Sequence, residues 1–232
     1  MTDTWRLIPP VQASGSVQMA LDRWLLEQHQ HGHPPTLRFY TWSPVAISLG
    51  YHQRQYPHDW NHLYWQGQPI ELVRRPTGGR AVLHQGDLTY AVVMSASGRL
   101  LEVYTQICQF LIVGWRSLGV ELQYGARQRY AQTHNCFRIA TGADLVTADG
   151  RKLIGSAQLR QGQAVLQHGS MMLSPHPELF TCIFDRAPQG IDILQSTVAQ
   201  ALIHAAEHCF KMQLIEQPLS ETEWQEVISL SS

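Results

Sequence analysis

Apolar residues near the start of the chain recur with helical spacing. Met19, Ala20, Trp24 and Leu25 share one face of the segment Val17 to Gln28, which predicts an amphipathic helix opened by Ser14 or Ser16 as its cap. The turn-rich stretch His29 to Pro35 breaks that pattern, and Thr36 to Tyr40 and Val45 to Leu49 then read as short strands. Ile70 to Arg75, Ala81 to Leu83 and Leu88 to Val93 extend a β-rich middle, followed by a long helical pattern over Leu100 to Leu118 that is interrupted only near Gly114. Further strands are predicted at Ala143 to Thr147, Lys152 to Gln158 and Gln163 to Met172, and helices at Gln195 to Lys211 and Glu221 to Leu230. This order predicts an α+β fold with mixed, largely antiparallel sheets flanked by helices, not a regular βαβ alternation.

Composition narrows the picture. A chain of 232 residues that is 44% hydrophobic can bury one sizeable core, so a single domain over 1–232 is expected. Only 21 residues follow Lys211, near which that helix ends, so no separate accessory C-terminal domain is expected. The formal net charge of -1 gives no footprint for nucleic acid or an anionic membrane. Residues 1–20 lack a basic start followed by an apolar core, and apolar runs such as Phe110 to Val113 are too short to span a bilayer, so a cytoplasmic protein is expected. The four cysteines lack a Cys-x-x-Cys and fit reduced thiols better than a disulfide frame or a structural zinc site. The tract of His29, His31 and His33 is set aside as a metal site, because Pro34 and Pro35 follow it and no second ligand cluster does; no metal is expected.

Several positions carry candidate chemistry, each with an ordinary alternative. Arg74, Arg75, Thr77, Gly78, Gly79 and His84 join two guanidinium groups to a glycine turn, as in an anion site; the alternative is a hairpin between Ile70 to Val73 and Ala81 to Leu83 with two solvated arginines. Cys136 lies in a polar loop, Thr133 to Arg138, where nearby cations can lower a thiol pKa and make an acyl acceptor. Cys108, on an apolar helix, reads as a small core residue. Lys152 follows the Asp149-Gly150 turn and is by itself an ordinary hairpin lysine. Gly155, Ser156 and Ala157 would let either a ligand or another strand lie against the backbone.

In order along the chain stand the arginine pair, Thr-Gly-Gly, His84, Asp87 to Tyr90, Gly150-Arg-Lys-x-x-Gly-Ser-Ala157 and His168-Gly169. Over roughly residues 15–215 this resembles the biotin/lipoate protein ligase family, and within it the bacterial cysteine-dependent octanoyltransferases. The resemblance implies a ligase-type catalytic domain that moves octanoyl from acyl carrier protein to a lipoyl-domain lysine, such as that of glycine cleavage H protein or a 2-oxoacid dehydrogenase E2. It makes Cys136, followed by Phe137, the nucleophile and Lys152 the cation at the acyl carbonyl. Gly155, Ser156 and Ala157 become the floor of an acyl tunnel, His84 its lining and His168 with Gly169 a wall. Asp144 would orient Lys152 or the incoming amine, and Arg74 and Arg75 would hold a phosphopantetheine arm or acidic groups of the carrier. Such a transferase requires no cofactor. The competing members of the family are ligases, which would use ATP and Mg with the same arginine pair and glycine turn, and amidotransferases acting between carrier proteins. A noncatalytic acyl- or lipoyl-binding module is the alternative of a different class. Arg80 directly after Gly79 departs from the longer glycine turn of ligases, and Ala91 stands where relatives often have serine.

Overall fold

The computed structural model describes residues 3–125 and 144–231. In chain order these form β1 (Asp3–Ala13), α1 (Gly15–Gln30), β2 (Thr36–Trp42), β3 (Ala46–Leu49), a short 3-10 turn (His58–His62), β4 (Tyr64–Trp65), β5 (Gln68–Pro69), β6 (Glu71–Arg74), β7 (Val82–His84) and β8 (Asp87–Ser95). Then follow α2 (Leu100–Ser117), β9 (Leu122–Tyr124), β10 (Leu145–Thr147), β11 (Lys152–Gln161), β12 (Ala164–Met172), α3 (Pro177–Phe184), α4 (Gln195–Phe210), β13 (Met212–Glu216) and α5 (Glu221–Ser231).

The main sheet has eight strands in the order β13-β1-β2-β8-β12-β11-β10-β9. Its β13, β1 and β2 run parallel and the remaining pairings are antiparallel, as the mixed and largely antiparallel pattern predicts. Helices α2 and α4 cover one face through Tyr90, Phe110, Leu111, Trp115, Val165 and Leu202. Helix α1 covers the other through Met19, Trp24, Tyr40, Ala91 and Leu166. A second sheet, β6-β3-β7, builds its own core with α3. The alternative of a hairpin across Gly78 and Gly79 is therefore not realised: β6 and β7 both pair with β3, which lies between them.

Two local features set the geometry around the cleft between the sheets. Ser14 Oγ accepts from Val17 N at 3.4 Å as the N-cap of α1, and the Glu71 carboxylate of β6 accepts from Gly15 N at 2.5 Å and Ser16 N at 2.9 Å. An anion at the positive end of a helix is favourable, and here it pins α1 to the small sheet. In β11 the register slips by one residue, so that Leu145 faces Ile154 but Val146 faces Lys152. That bulge sends both Leu153 and Ile154 into the α2-side core and leaves Lys152 on the same face as Gly155.

Several elements escape the sequence pattern. Strand β1 contains Pro9 and Pro10, which do not suit a ladder; they fall within a register shift between Ile8 and Val11 against β2. The 3-10 turn, the short strands β4, β5 and β9, the helix α3 and the edge strand β13 are the others.

Candidate active site

A cleft lies between the α1 face of the main sheet and the glycine turn of the small sheet. Its floor is drawn from two cross-strand rows: Tyr40, Thr89, Ser170 and Gly155, then His168 and Ala157. Met19 of α1, Trp42, Ser48, His84, Gly78 and Gly79 add to the lining. Of the residues singled out from sequence, Arg75, Gly78, Gly79, His84, Gly155, Ser156, Ala157 and His168 all meet here.

The two arginines are placed differently. Arg75 is buried and donates to Ser48 O at 2.8 Å, Gly78 O at 2.9 Å and Arg80 O at 2.6 Å, so its guanidinium organises the turn from inside. Gly79 has φ +99°, and a Cβ there would lie 2.7 Å from Arg75 Nη2; only glycine meets both conditions. Arg74 is exposed and holds the preceding loop through Gly50 O at 2.7 Å and Gln53 O at 2.8 Å.

Lys152 and Asp144 come together. Lys152 Nζ lies 2.8 Å from Asp144 Oδ1, with the two side chains 4% and 6% exposed. The lysine stem crosses directly over Gly155, where a Cβ would stand 3.0 Å from Lys152 Cε and 3.2 Å from Nζ. Gly155 therefore carries both the cleft floor and the bed of the lysine. Cys136 lies outside the described residues.

Two hydroxyl–imidazole–carboxylate chains flank the cleft. In the first, His168 Nδ1 lies 2.6 Å from Asp22 Oδ2 and His168 Nε2 lies 2.6 Å from Thr77 Oγ1. In the second, His84 Nδ1 lies 2.9 Å from Asp87 Oδ2 and His84 Nε2 lies 2.8 Å from Ser48 Oγ. A carboxylate only accepts, so each imidazole presents Nδ1–H to its carboxylate, and the Ser48 hydroxyl donates to Nε2 of the neutral His84. Asp22 is fully buried but also takes Arg38 Nε at 2.9 Å, Arg38 Nη2 at 2.7 Å and the Tyr40 hydroxyl at 2.9 Å. Burial alone would raise its pKa, yet the Arg38 charge and the His168 bond hold it below the usual carboxylate value. Burial pushes the Tyr40 hydroxyl well up, reinforced by Asp22. His84 is shifted down by burial, opposed by Asp87 and assisted by Arg75 and His168, so it rests neutral at pH 7.

The other polar groups of the wall are paired as well. Trp42 Nε1 donates to Thr89 Oγ1 at 2.8 Å, and the Thr89 and Ser170 hydroxyls donate to Asp87 Oδ2 at 3.1 Å and 2.6 Å. The Tyr90 hydroxyl donates to Ser156 Oγ at 2.8 Å. With their hydrogen bonds directed into the protein, these side chains offer a ligand mainly carbon and ring surface. Sequence reasoning missed Asp22, Arg38, Ser48 and the roles of Asp87 and Ser170. The available signal was a carboxylate on the apolar face of α1 and an arginine inside the apolar strand β2, a pairing that charge burial requires.

The sequence matches the family described as lipoyl protein ligase A/B catalytic domain over residues 14–211. The chain belongs to that family. It is 41% identical over 179 residues to the octanoyltransferase LipM of Carboxydothermus hydrogenoformans, an alignment covering 74% of this chain and 65% of that protein. To LipM of Bacillus subtilis it is 37% identical over 188 residues, covering 74% of this chain and 66% of that one. The chain thus matches just under two thirds of the length of these relatives. Among solved structures, a lipoate-protein ligase A bound with ATP superimposes with a TM-score of 0.83 at 22% identity, over 98% of this chain and 94% of that one; this likeness establishes the fold. No cluster of metal-ligating side chains and no helix long and apolar enough to cross a membrane occurs among the described residues.

Proposed function

We propose that this chain is an octanoyltransferase of protein lipoylation, moving octanoyl from acyl carrier protein to a lipoyl-domain lysine through a thioester on Cys136. The observation that carries this reading is the cleft itself, whose wall directs its hydrogen bonds inward while the Lys152 ammonium lies over its floor at Gly155. From Gly155 through Ser170 to Thr89 is two strand spacings, about 10 Å, of the order of an extended eight-carbon chain. In this reading the acyl chain runs across the strands from Gly155 toward Thr89, with Ala157 beside it, and Lys152, held by Asp144, faces the carbonyl oxygen where negative charge develops. Thioester exchange is nearly isoenergetic and amide formation is downhill, so neither step requires a nucleotide. The names of the LipM relatives support the same assignment.

The test is incubation of the protein with octanoyl-acyl carrier protein and a lipoyl domain, without ATP, reading the lipoyl domain by mass. One octanoyl group on its lysine is expected. No product from the carrier, but product from free octanoate with ATP and magnesium, would overturn the transferase reading in favour of a ligase.

A further inference from the structure

Two buried hydroxyl–imidazole–carboxylate chains beside one cleft differ in a way that decides their chemistry. Asp22 Oδ1 already accepts two hydrogen bonds from the Arg38 guanidinium, so its charge is compensated without the adjoining imidazole. Asp87, equally buried, accepts only from neutral groups: His84, Thr89 and Ser170, with no lysine or arginine bonded to it among the described residues. A buried carboxylate without a bonded cation is costly, and protonation of the adjoining imidazole converts it to a compensated pair. The hydroxyl ends differ too: Ser48 and His84 line the cleft, whereas Thr77 does not.

We propose that Ser48, His84 and Asp87 form a proton relay that receives the proton of the acceptor lysine as the amide bond forms, an inference that rests on the octanoyl-transfer reading above. The neutral amine nitrogen bonds to the acyl carbon and the carbon–sulfur bond breaks, with the electron pair leaving on the cysteine sulfur. The proton shed by nitrogen passes to Ser48 Oγ, whose own proton moves to His84 Nε2. Asp87 is the positioning residue, holding the imidazole by Nδ1 and pairing with the imidazolium. Release of that proton from His84 to solvent, and uptake of one by the thiolate, restores the starting state. The groups facing His84 are Asp87 of β8, Arg75 after β6, His168 of β12, Ser48 of β3 and the Trp42 ring of β2, stacked at 3.7 Å. Arg75 and His168 disfavour the imidazolium, so the base is unprotonated at rest and the proton is released readily. The relay lies next to the lysine bed: Ser170, bonded to Asp87, is the cross-strand partner of Gly155.

The experiment separates loading from transfer. Enzyme is loaded with octanoyl-acyl carrier protein, isolated, and mixed with a lipoyl domain across a pH series. Ser48→Ala is expected to lower the ratio of transfer rate to loading rate by about 10²-fold, the usual contribution of general base catalysis, and to flatten the acid side of the transfer profile. Ser48→Thr, which keeps a hydroxyl, recovers at least about a tenth of the wild-type ratio on the same grounds. An unchanged ratio, or equal slowing of both steps with the wild-type pH profile, would overturn the relay. Failure of the wild type to load at all would instead remove the octanoyl-transfer reading.

Discussion

The buried pair Lys152 and Asp144 makes the sharpest quantitative prediction. At 2.8 Å and an effective dielectric constant of about 20, the attraction between the charges is about 6 kcal/mol, most of it offset by the cost of removing two ions from water. Deleting one partner removes the attraction and leaves the other charge buried. Asp144→Leu and Lys152→Met should therefore each destabilise the fold by about 3–5 kcal/mol. The double variant replaces both ions by apolar groups and should return to within about 2 kcal/mol of the wild type, since such replacements are often neutral. Urea unfolding of all four proteins gives the coupling energy, and octanoyl transfer measured in parallel should remain lost in the double variant. Single losses below about 1 kcal/mol, or losses that simply add in the double variant, would rule out a coupled buried pair, because exposed and independent charges behave that way.

Other consequences arise from neighbouring contacts. Gly155→Ala crowds the end of the Lys152 side chain, at 3.0 Å and 3.2 Å, with Asp144 Oδ1 at an ordinary 3.8 Å, so unfolding free energy should change by less than about 1 kcal/mol while transfer falls by about 10-fold or more through misplacement of the ammonium; wild-type turnover would count against the lysine bed. Gly114→Ala should do the opposite, because its Cβ would lie 2.6 Å from Leu202 Cδ2 and 3.3 Å from Ala201 O across the α2–α4 contact: a loss of about 1–3 kcal/mol in chemical denaturation with transfer unaltered in the folded protein. Glu223, whose two oxygens accept from Arg6 at 2.7 Å and 2.8 Å, has its pKa drawn down to about 2 by that bond. A carboxyl lowered on folding contributes stability above its unfolded value of 4.5, and that contribution is lost as pH falls through about 2. Thermal unfolding should therefore show Glu223→Gln less stable than the wild type at pH 7, with the gap closing across that acid window; a gap independent of pH would exclude the ion pair as its source.

Much of the fold was legible because its helices and central strands obey simple periods. Helix α1 shows its apolar face in Met19, Trp24 and Leu25, and α2 continues through Gly114, where the glycine admits Leu202 of α4 rather than ending the helix. What the pattern hid was non-local. Nothing near Gly78 says that β3 will insert between the strands on either side of the turn, or that Arg75 will face its own turn's carbonyls. The site divides along the same line. Motif order gathered Gly155, Ala157, His84 and His168 into one cleft, yet Asp22, Ser48 and Asp87 gain meaning only when α1, β3 and β8 meet across it. The bulge that turns Lys152 onto the face of Gly155 is a one-residue slip, and alternation along the strand cannot reveal it.

Acyl transfer through Cys136 is the step on which the proposed chemistry depends, and the intact mass of the enzyme reads it without an intermediary. The wild type and Cys136→Ser are each exposed to octanoyl-acyl carrier protein, quenched in acid and weighed before and after treatment with a thiol. A thioester at Cys136 requires a single octanoyl group on the wild type, removed by the thiol and absent from Cys136→Ser. An unmodified wild type during active transfer, or an adduct that persists in the serine variant under the same treatment, would contradict it.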